Sequence, residues 1–495
     1  MDQETAQAGA STAVTDIVWN WFRRVIAWIR SCDIPGWVWV ILLWALMAFP
    51  AAAIRGAHFE EGTVIGLARG AVEDGQWLSP HLYGLRFIER PVLLSWIAAA
   101  IGEVTGGVTV WSVRIPHLLF LLAGGLMVFH LVRPHTRKAP AVFGALCWFA
   151  CPMVAQKFVT AEPDVTLSVL LFAGFFLWWK GVTRGNVSML RWLAIAIALA
   201  AAGLTKGPQP LAYFALGVGA AIFLKRRWSD VPGFVLANLM AGFAAAGWYW
   251  SVILPDDVEG WMVHSRLHEG MTAGQWLKDH LDFLISLGLV EWLPGSVLLI
   301  PAIAALVRNK VSSERDLMLA AVLYAGLASM VLLLWPGGVA TRYAMPANLA
   351  LAVLGGILFD RWWATRPWLI AVANTAVTGI SVALIILGWI VMPLALDAFG
   401  QSRTTEHAIA AVRAMVPGPV YFSTAAINYN VLAYVAAPVR DIRSVDFSNL
   451  KTPALAILTD PEILAQTARA PDVQVVPHAV LNKNPVSKIV EFRLN

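Results

Sequence analysis

The sequence predicts an all-α polytopic membrane protein of about eleven to thirteen transmembrane helices, followed by a small C-terminal α/β domain outside the bilayer. Three observations carry this expectation. The 495 residues are 58% hydrophobic and 14% charged, with a mean hydropathy of +0.66, far too apolar for a soluble domain of this length. Apolar runs at 37–54, 115–132, 140–155, 208–224, 232–254, 317–335 and 369–393 reach or approach the roughly 20 residues a spanning helix needs. They lack the alternation of membrane-barrel strands. After residue 397, short Val/Ile/Ala-rich runs alternate with helix-like stretches at 403–415 and 461–469, the pattern of an α/β unit.

The elements follow in chain order. Residues 1–36 form a cytoplasmic N-terminal segment. It starts polar and acidic, without the basic region and cleavage site of a secretory signal. Further on, Trp21, Phe22, Val25, Ile26 and Ile29 alternate with Arg23, Arg24 and Arg30, as in a helix lying on an anionic membrane surface. Residues 37–397 form the membrane domain, with a large outer first loop at 55–110. Within that loop, 92–106 reads either as an interfacial segment or as part of a further span. Residues 398–495 form the outer α/β domain, which carries no Gly-rich phosphate loop and no nucleophile motif, so its expected role is that of a lid or docking module.

The net charge of +5 is spread over short loops rather than gathered into one stripe, which argues against nucleic acid. With a cytoplasmic N-terminus, the basic clusters Arg133/Arg137/Lys138, Lys180/Arg184/Arg191, Lys225/Arg226/Arg227, Arg308/Lys310/Arg315 and Arg361/Arg366 all fall inside. The other face is acidic, and the odd span count puts the C-terminus there. The expected location is a bacterial inner membrane, with the C-terminal domain periplasmic. Cys32, Cys147 and Cys151 make no disulfide framework, and the latter two sit one helical turn apart in an apolar span as small hydrophobes.

Ionisable groups at a membrane boundary are costly unless paired or used, so the outer charges are the informative ones. Glu60 and Glu61 follow the first span, and Glu89-Arg90-Pro91 closes the first loop. Thr160-Ala161-Glu162-Pro163-Asp164 and Thr205-Lys206-Gly207-Pro208 stand at later span ends, with Arg342-Tyr343 further on. Carboxylates beside Arg90, Lys206 and Arg342 suit transfer of a sugar from a phosphate-linked carrier. A carboxylate deprotonates the acceptor and the cations hold the departing phosphate. The donor on an outer face is membrane-borne, and a lone base inverts the anomeric centre. The same residues also have plain structural readings: an acidic helix end at Glu60-Glu61, a local pair at Glu89-Arg90, an N-cap at Asp164, a snorkelling Lys206. His264 and His268 are one turn apart but lack a third metal ligand, which favours a loop helix lining an acceptor cavity. The tryptophans flanking spans read as interfacial anchors, with Trp77 and Trp261 as minority candidates for stacking on sugar.

The order of these elements resembles the GT-C membrane glycosyltransferases of the protein O-mannosyltransferase and lipid A aminoarabinose transferase type. In that family an acidic pair after the first span is followed by G-D-W-x-x-P and E-K-P-P. Here stand Glu60-Glu61, then Gly75-Gln76-Trp77-Leu78-Ser79-Pro80, then Glu89-Arg90-Pro91-Val92. Segments of the A-E-x-D, L-T-K-G-P and R-Y-x-x-P kind match Ala161–Asp164, Leu204–Pro208 and Arg342–Pro346. The resemblance covers roughly residues 37–360, and its specificity lies in the set.

It implies Glu60 as the catalytic base, where the family usually has Asp, with Glu61 and Asp164 as further acidic groups. Arg90, Lys206, Arg342 and Tyr343 become the donor-phosphate site, supported by Glu89, Glu162 and His264. Arg90 replaces the family's Lys and can grip phosphate with two parallel hydrogen bonds. Thr63 and Val64 replace a common Arg-Tyr, removing one phosphate contact. The implied activity is a polyprenyl-phosphate-sugar-dependent, inverting hexosyl- or pentosyltransferase. Its partners are the carrier lipid, a lipid or glycan acceptor and membrane lipids, with no nucleic acid. No cofactor is called for, and a divalent metal is left open. The alternatives are a secondary transporter or lipid flippase, against which the charged residues gather at outer span ends and no repeated half is seen, and a scaffold presenting the C-terminal domain.

Overall fold

A computed structural model of the chain describes residues 34–494, apart from 159, 256, 260–271, 309–311, 336–338, 396–406, 408, 417, 436–437, 445–452, 470–472 and 484–485. The N-terminal amphipathic segment, Cys32, Trp261, His264 and His268 lie outside these residues.

The apolar runs fold as helices. The first, α1 (Gly36–Ile54), leads into α2 (Phe59–Asp74), a tiny hairpin of β1 (His81–Leu82) and β2 (Leu85–Arg86), and α3 (Leu93–Thr105). Then come α4 (Val110–Val132), α5 (Lys138–Phe149), α6 (Pro163–Val182), α7 (Met189–Lys206), α8 (Ala212–Leu224) and α9 (Val231–Val252). The bundle closes with α10 (Ala273–Ser286), α11 (Gly295–Arg308), α12 (Ser313–Leu333), α13 (Ala347–Thr365) and α14 (Pro367–Ile386).

Among the described residues, seven helices are long and apolar enough to cross a membrane, or up to nine when each of two bent pairs counts as one span. The bends fall at 62° after Phe149 and at 90° after Glu291. Shorter apolar helices at Leu93–Thr105 and Gln209–Leu224 add to the bundle. The ambiguous segment 92–106 is thus the 13-residue α3, about 20 Å long at 1.5 Å per residue and too short to span a core of about 30 Å. Large apolar side chains such as Phe243 and Trp250 face outward from α9, as on a lipid-facing surface, while Trp148, Trp178, Phe172, Phe175 and Tyr324 fill the interior.

At the end of the bundle far from α2, the basic loop residues find carboxylates. Arg137 meets Asp360 at 2.8 Å, Arg227 meets Asp230 at 2.7 Å, and Lys225 and Arg361 pair with Asp316 and Glu314. Cys147 and Cys151 are buried and free.

The C-terminal domain is a five-stranded mixed sheet in the order β4-β3-β5-β7-β6. Strands β3 (Val420–Phe422), β4 (Val439–Asp441) and β5 (Ala454–Thr459) pair in parallel about β3, while β6 (Val473–Lys483) and β7 (Val486–Leu494) form an antiparallel edge. β5 is buried at every position, the continuous apolar run of a covered central strand. A short helix, α15 (Tyr429–Leu432), and α16 (Asp460–Arg469) connect the strands. The sheet does not stand apart from the bundle. Its edge strand donates Asp441 N–H to Tyr83 O at 2.8 Å, and Arg440 bonds Asp74 at 2.5 Å.

Candidate functional site

α2 starts where the chain turns back from α1, and its first turn is fixed by a reciprocal cap. The Glu60 N–H donates to His58 Nδ1 at 3.3 Å, and the His58 N–H donates to the Glu61 carboxylate at 3.1 Å. Its end is set by Gly75 at φ 69°, a left-handed stop. Glu60 and Glu61 are adjacent in sequence but about 100° apart around the helix, and they meet different partners.

Glu60 faces the cation cluster. Arg90 Nη2 donates to Glu60 Oε2 at 3.2 Å, and Arg342 Nη1 lies 3.9 Å from Oε1. On the far side of those cations, Lys206 Nζ donates to Asp164 Oδ1 at 2.5 Å and stands 5.1 Å from the centre of the Tyr343 ring. Asp164 is buried in the first turn of α6, and Lys206 ends α7. Burial opposes charge on Arg342, but Asp164 and then Glu60 outweigh it and hold the guanidinium above its ordinary pKa. Residues from five separate stretches thus converge: Glu60, Arg90, Asp164, Lys206, and Arg342 with Tyr343. Glu89 lies 4.0 Å from Arg90.

All of these groups except Glu60 line a cavity of about 180 Å³. Arg90, Lys206, Arg342 and Tyr343 line its charged end, while Leu167, Ala212, Val331, Leu332 and Val339 line an apolar remainder. A charged head region continuous with a greasy channel is the shape of a site for an amphiphile.

A second cavity, of about 560 Å³, lies on the other side of the first turn of α2. Arg55, His58, Gln156, Lys157 and Glu162 give it a polar end, and Met47, Ala51, Leu384, Leu387 and Met392 an apolar one. Lys157 Nζ is 2.6 Å from Glu162 Oε2, and His58 Nδ1 is 3.7 Å from Glu162 Oε1. Burial lowers the Arg55 pKa, with Glu61 opposing. The Glu60 carboxylate pairs with Arg90 and Arg342, which line the first cavity, while its backbone N–H bonds to His58, which lines the second.

Glu61 has a different place from the one expected. Fully buried, it accepts from Arg114 Nε at 2.6 Å and Nη2 at 2.9 Å. A carboxylate clamped by a buried bidentate arginine is already saturated and does not reach either cavity. Glu162 likewise supports the second cavity through Lys157 rather than the cation cluster. His264 lies outside the described residues. Among the described residues, no group of three or more His, Cys, Asp or Glu side chains is close enough to hold a metal ion.

Sequence reasoning missed Arg114, His58, Arg55 and Lys157. The signal for Arg114 was present: an arginine in an otherwise apolar stretch of α4 needs a buried partner. His58 stands two residues before the acidic pair, at the N-cap position.

The chain is similar to known proteins in sequence and in fold. Residues 89–250 match the family of dolichyl-phosphate-mannose-protein mannosyltransferases. Over nearly its whole length the chain superposes on the crystal structure of ArnT from Cupriavidus metallidurans bound to undecaprenyl phosphate. The TM-score is 0.64 with 17% identity, covering 92% of this chain and 97% of that one. The apo form gives 0.62 and 18%.

The fold is of the GT-C type. The chain with this GT-C fold is also similar in sequence to undecaprenyl phosphate-α-4-amino-4-deoxy-L-arabinose arabinosyl transferases. The enzyme of Pseudomonas fluorescens is 28% identical over 321 residues, 60% of this chain and 54% of that protein. That of Pseudomonas aeruginosa is 26% identical over 308 residues, 59% and 53%, and that of Proteus mirabilis 24% over 250 residues, 47% and 44%. The chain thus spans about half the length of the curated relatives it matches.

Proposed function

We propose that this chain is an inverting glycosyltransferase of a bacterial inner membrane that moves a sugar from a polyprenyl phosphate to an acceptor on the outer face. The observation that carries the proposal is Glu60 paired with Arg90 and Arg342, two residues that line a cavity cationic at one end and apolar along the rest. The similar arabinosyl transferases are named for undecaprenyl phosphate-linked aminoarabinose, which favours a pentosyl donor on an undecaprenyl carrier.

The carrier phosphate sits against Arg90, Lys206 and Arg342, with its chain along Leu167, Val331 and Leu332. Before it arrives, Arg90 is occupied by Glu60 and Lys206 by Asp164. The phosphate takes over part of that cationic coordination and leaves the Glu60 carboxylate free as a base. Glu60 then accepts the proton of the acceptor group, the acceptor oxygen bonds to the anomeric carbon, and the carbon–oxygen bond to the carrier phosphate breaks. The departing phosphate oxygen takes the bonding electron pair, and the three cations stabilise the negative charge it gains, the electrostatic stabilisation that dominates such transfers. Attack opposite the leaving phosphate inverts the anomeric centre.

The second cavity fits the acceptor. Its cations Arg55 and Lys157 and its apolar wall from α1 and α14 suit an anionic lipid approaching within the membrane. The basic loops then face the cytoplasm, and the C-terminal domain lies in the periplasm.

The test is Glu60→Gln in a strain lacking the gene, read by mass spectrometry of envelope glycolipids. Loss of one glycosyl unit in the deletion, restored by wild type but not by the variant at equal membrane abundance, is the expected result. Full restoration by the variant removes Glu60 as the base. A product with the donor's anomeric configuration by NMR removes the inverting mechanism.

A further inference from the structure

The helix that carries Glu60 is not held by the membrane bundle alone. Phe59, one residue before Glu60, stacks on Tyr429 of the C-terminal domain with ring centres 5.1 Å apart and planes inclined by 23°. One turn on, Gly62 lies so close to the same segment that a Cβ there would stand 2.2 Å from Tyr429 O and 2.8 Å from Asn430 N. Those are backbone atoms and cannot swing aside, so only glycine permits the approach. Gly62 O also accepts from the Tyr83 hydroxyl at 3.2 Å, and the Tyr83 ring packs on both Phe422 and Tyr429. Farther along α2, Arg69 Nη1 donates to Val435 O at 2.7 Å in a buried setting. Ala433 is buried in one cluster with Ala57, Val64, Ile65 and Ala68. Tyr434 faces Arg114, the residue that clamps Glu61.

We infer that the C-terminal domain is a brace for the catalytic helix rather than a lid: its segment 429–435 sets where the Glu60 carboxylate stands, with Tyr429 as the positioning residue. The inference rests on the reading of Glu60 as the base. Tyr429 lines neither cavity, so it acts through Phe59, Gly62 and Tyr83. A catalytic group displaced by about 1 Å loses on the order of 10²-fold in rate, whereas the carrier phosphate is held by Arg90, Lys206 and Arg342, none of which bonds to the C-terminal domain in the contacts described above. Removing the brace therefore lowers turnover and leaves carrier binding in place.

The experiment compares Tyr429→Ala, Tyr429→Phe and Gly62→Ala in the full chain, purified in nanodiscs. Hydrogen–deuterium exchange reports on residues 58–66, native mass spectrometry on binding of undecaprenyl phosphate, and the glycolipid assay on transfer. Expected are faster exchange at 58–66 and a 10- to 100-fold loss of transfer in Tyr429→Ala and Gly62→Ala. Carrier affinity should stay within twofold of wild type, and Tyr429→Phe, which keeps the ring, should match wild type in all three measurements. Unchanged exchange at 58–66 in Tyr429→Ala overturns the brace, and so does equal loss of carrier binding and transfer. If the wild type binds no carrier and makes no product, the proposed function fails instead, and the exchange result still decides whether the domain holds the helix.

Discussion

Replacing Glu61 with Gln separates the tasks of two neighbouring carboxylates. Glu61 is fully buried and the Arg114 side chain is 3% exposed, and two hydrogen bonds of 2.6 and 2.9 Å join them. Hydrogen bonds to charged groups contribute about 1.5–3 kcal/mol each. Removing one partner of a buried pair destabilises by about 3–5 kcal/mol, because the other charge stays behind unpaired. The weakened cap at the His58 N–H acts in the same direction, by about 0.5–2 kcal/mol. E61Q is therefore expected to melt several degrees below wild type in nanodiscs. The double variant E61L/R114L, which removes both charges, should melt above either single leucine variant. E60Q should melt with the wild type, since the Glu60 side chain is 23% exposed and shares its oxygens at 3.2 and 3.9 Å. An E61Q protein with an unaltered melt and no transfer would refute this division and return Glu61 to the chemistry.

Arg90→Met and Lys206→Met should each weaken undecaprenyl phosphate binding by roughly 10- to 100-fold, the equivalent of one charge-assisted contact of about 1.5–3 kcal/mol; unchanged titration by native mass spectrometry would place the carrier elsewhere. Arg55→Glu, at the polar end of the second cavity, should leave carrier affinity intact and raise the acceptor KM, whereas a selective loss of carrier binding would exchange the roles of the two cavities. In the C-terminal sheet, hydrogen bonding to Arg493 and then His478 holds the buried Glu491 carboxyl below its ordinary pKa against the opposing effect of burial. That stability is present above the unfolded glutamate value of about 4.3 and is lost as pH falls through the lower folded value. Exchange protection of β6 and β7 should fall on acidification through this range, and less steeply in Glu491→Gln.

Much of the site was legible because outer charges at the ends of apolar spans have few reasons to exist. Glu60, Arg90, Lys206 and Arg342 stood out on that ground, and folding brings them together. Adjacency misled at Glu61, since neighbours on a helix diverge by about 100°. Only the three-dimensional path of α4 supplies the Arg114 that occupies it. Arg55 and Lys157 were invisible as a pair because they lie on separate segments whose local patterns are those of ordinary span ends. The α/β character of the C-terminal region followed from its alternating runs. Its grip on α2 did not, because Gly62 and Tyr429 are far apart in sequence and a glycine in a helix signals a close approach without naming the partner. The span count was the coarsest expectation, as α3 and the bent pairs hold apolar runs that do not cross as single straight rods.

The pair of cavities has a kinetic consequence. With the proposed carrier and acceptor in separate cavities, neither amphiphile must depart before the other enters. Turnover then passes through a ternary complex, and double-reciprocal initial-velocity plots intersect instead of running parallel. The two chambers also allow the spent carrier to diffuse away laterally while the glycosylated acceptor is still seated.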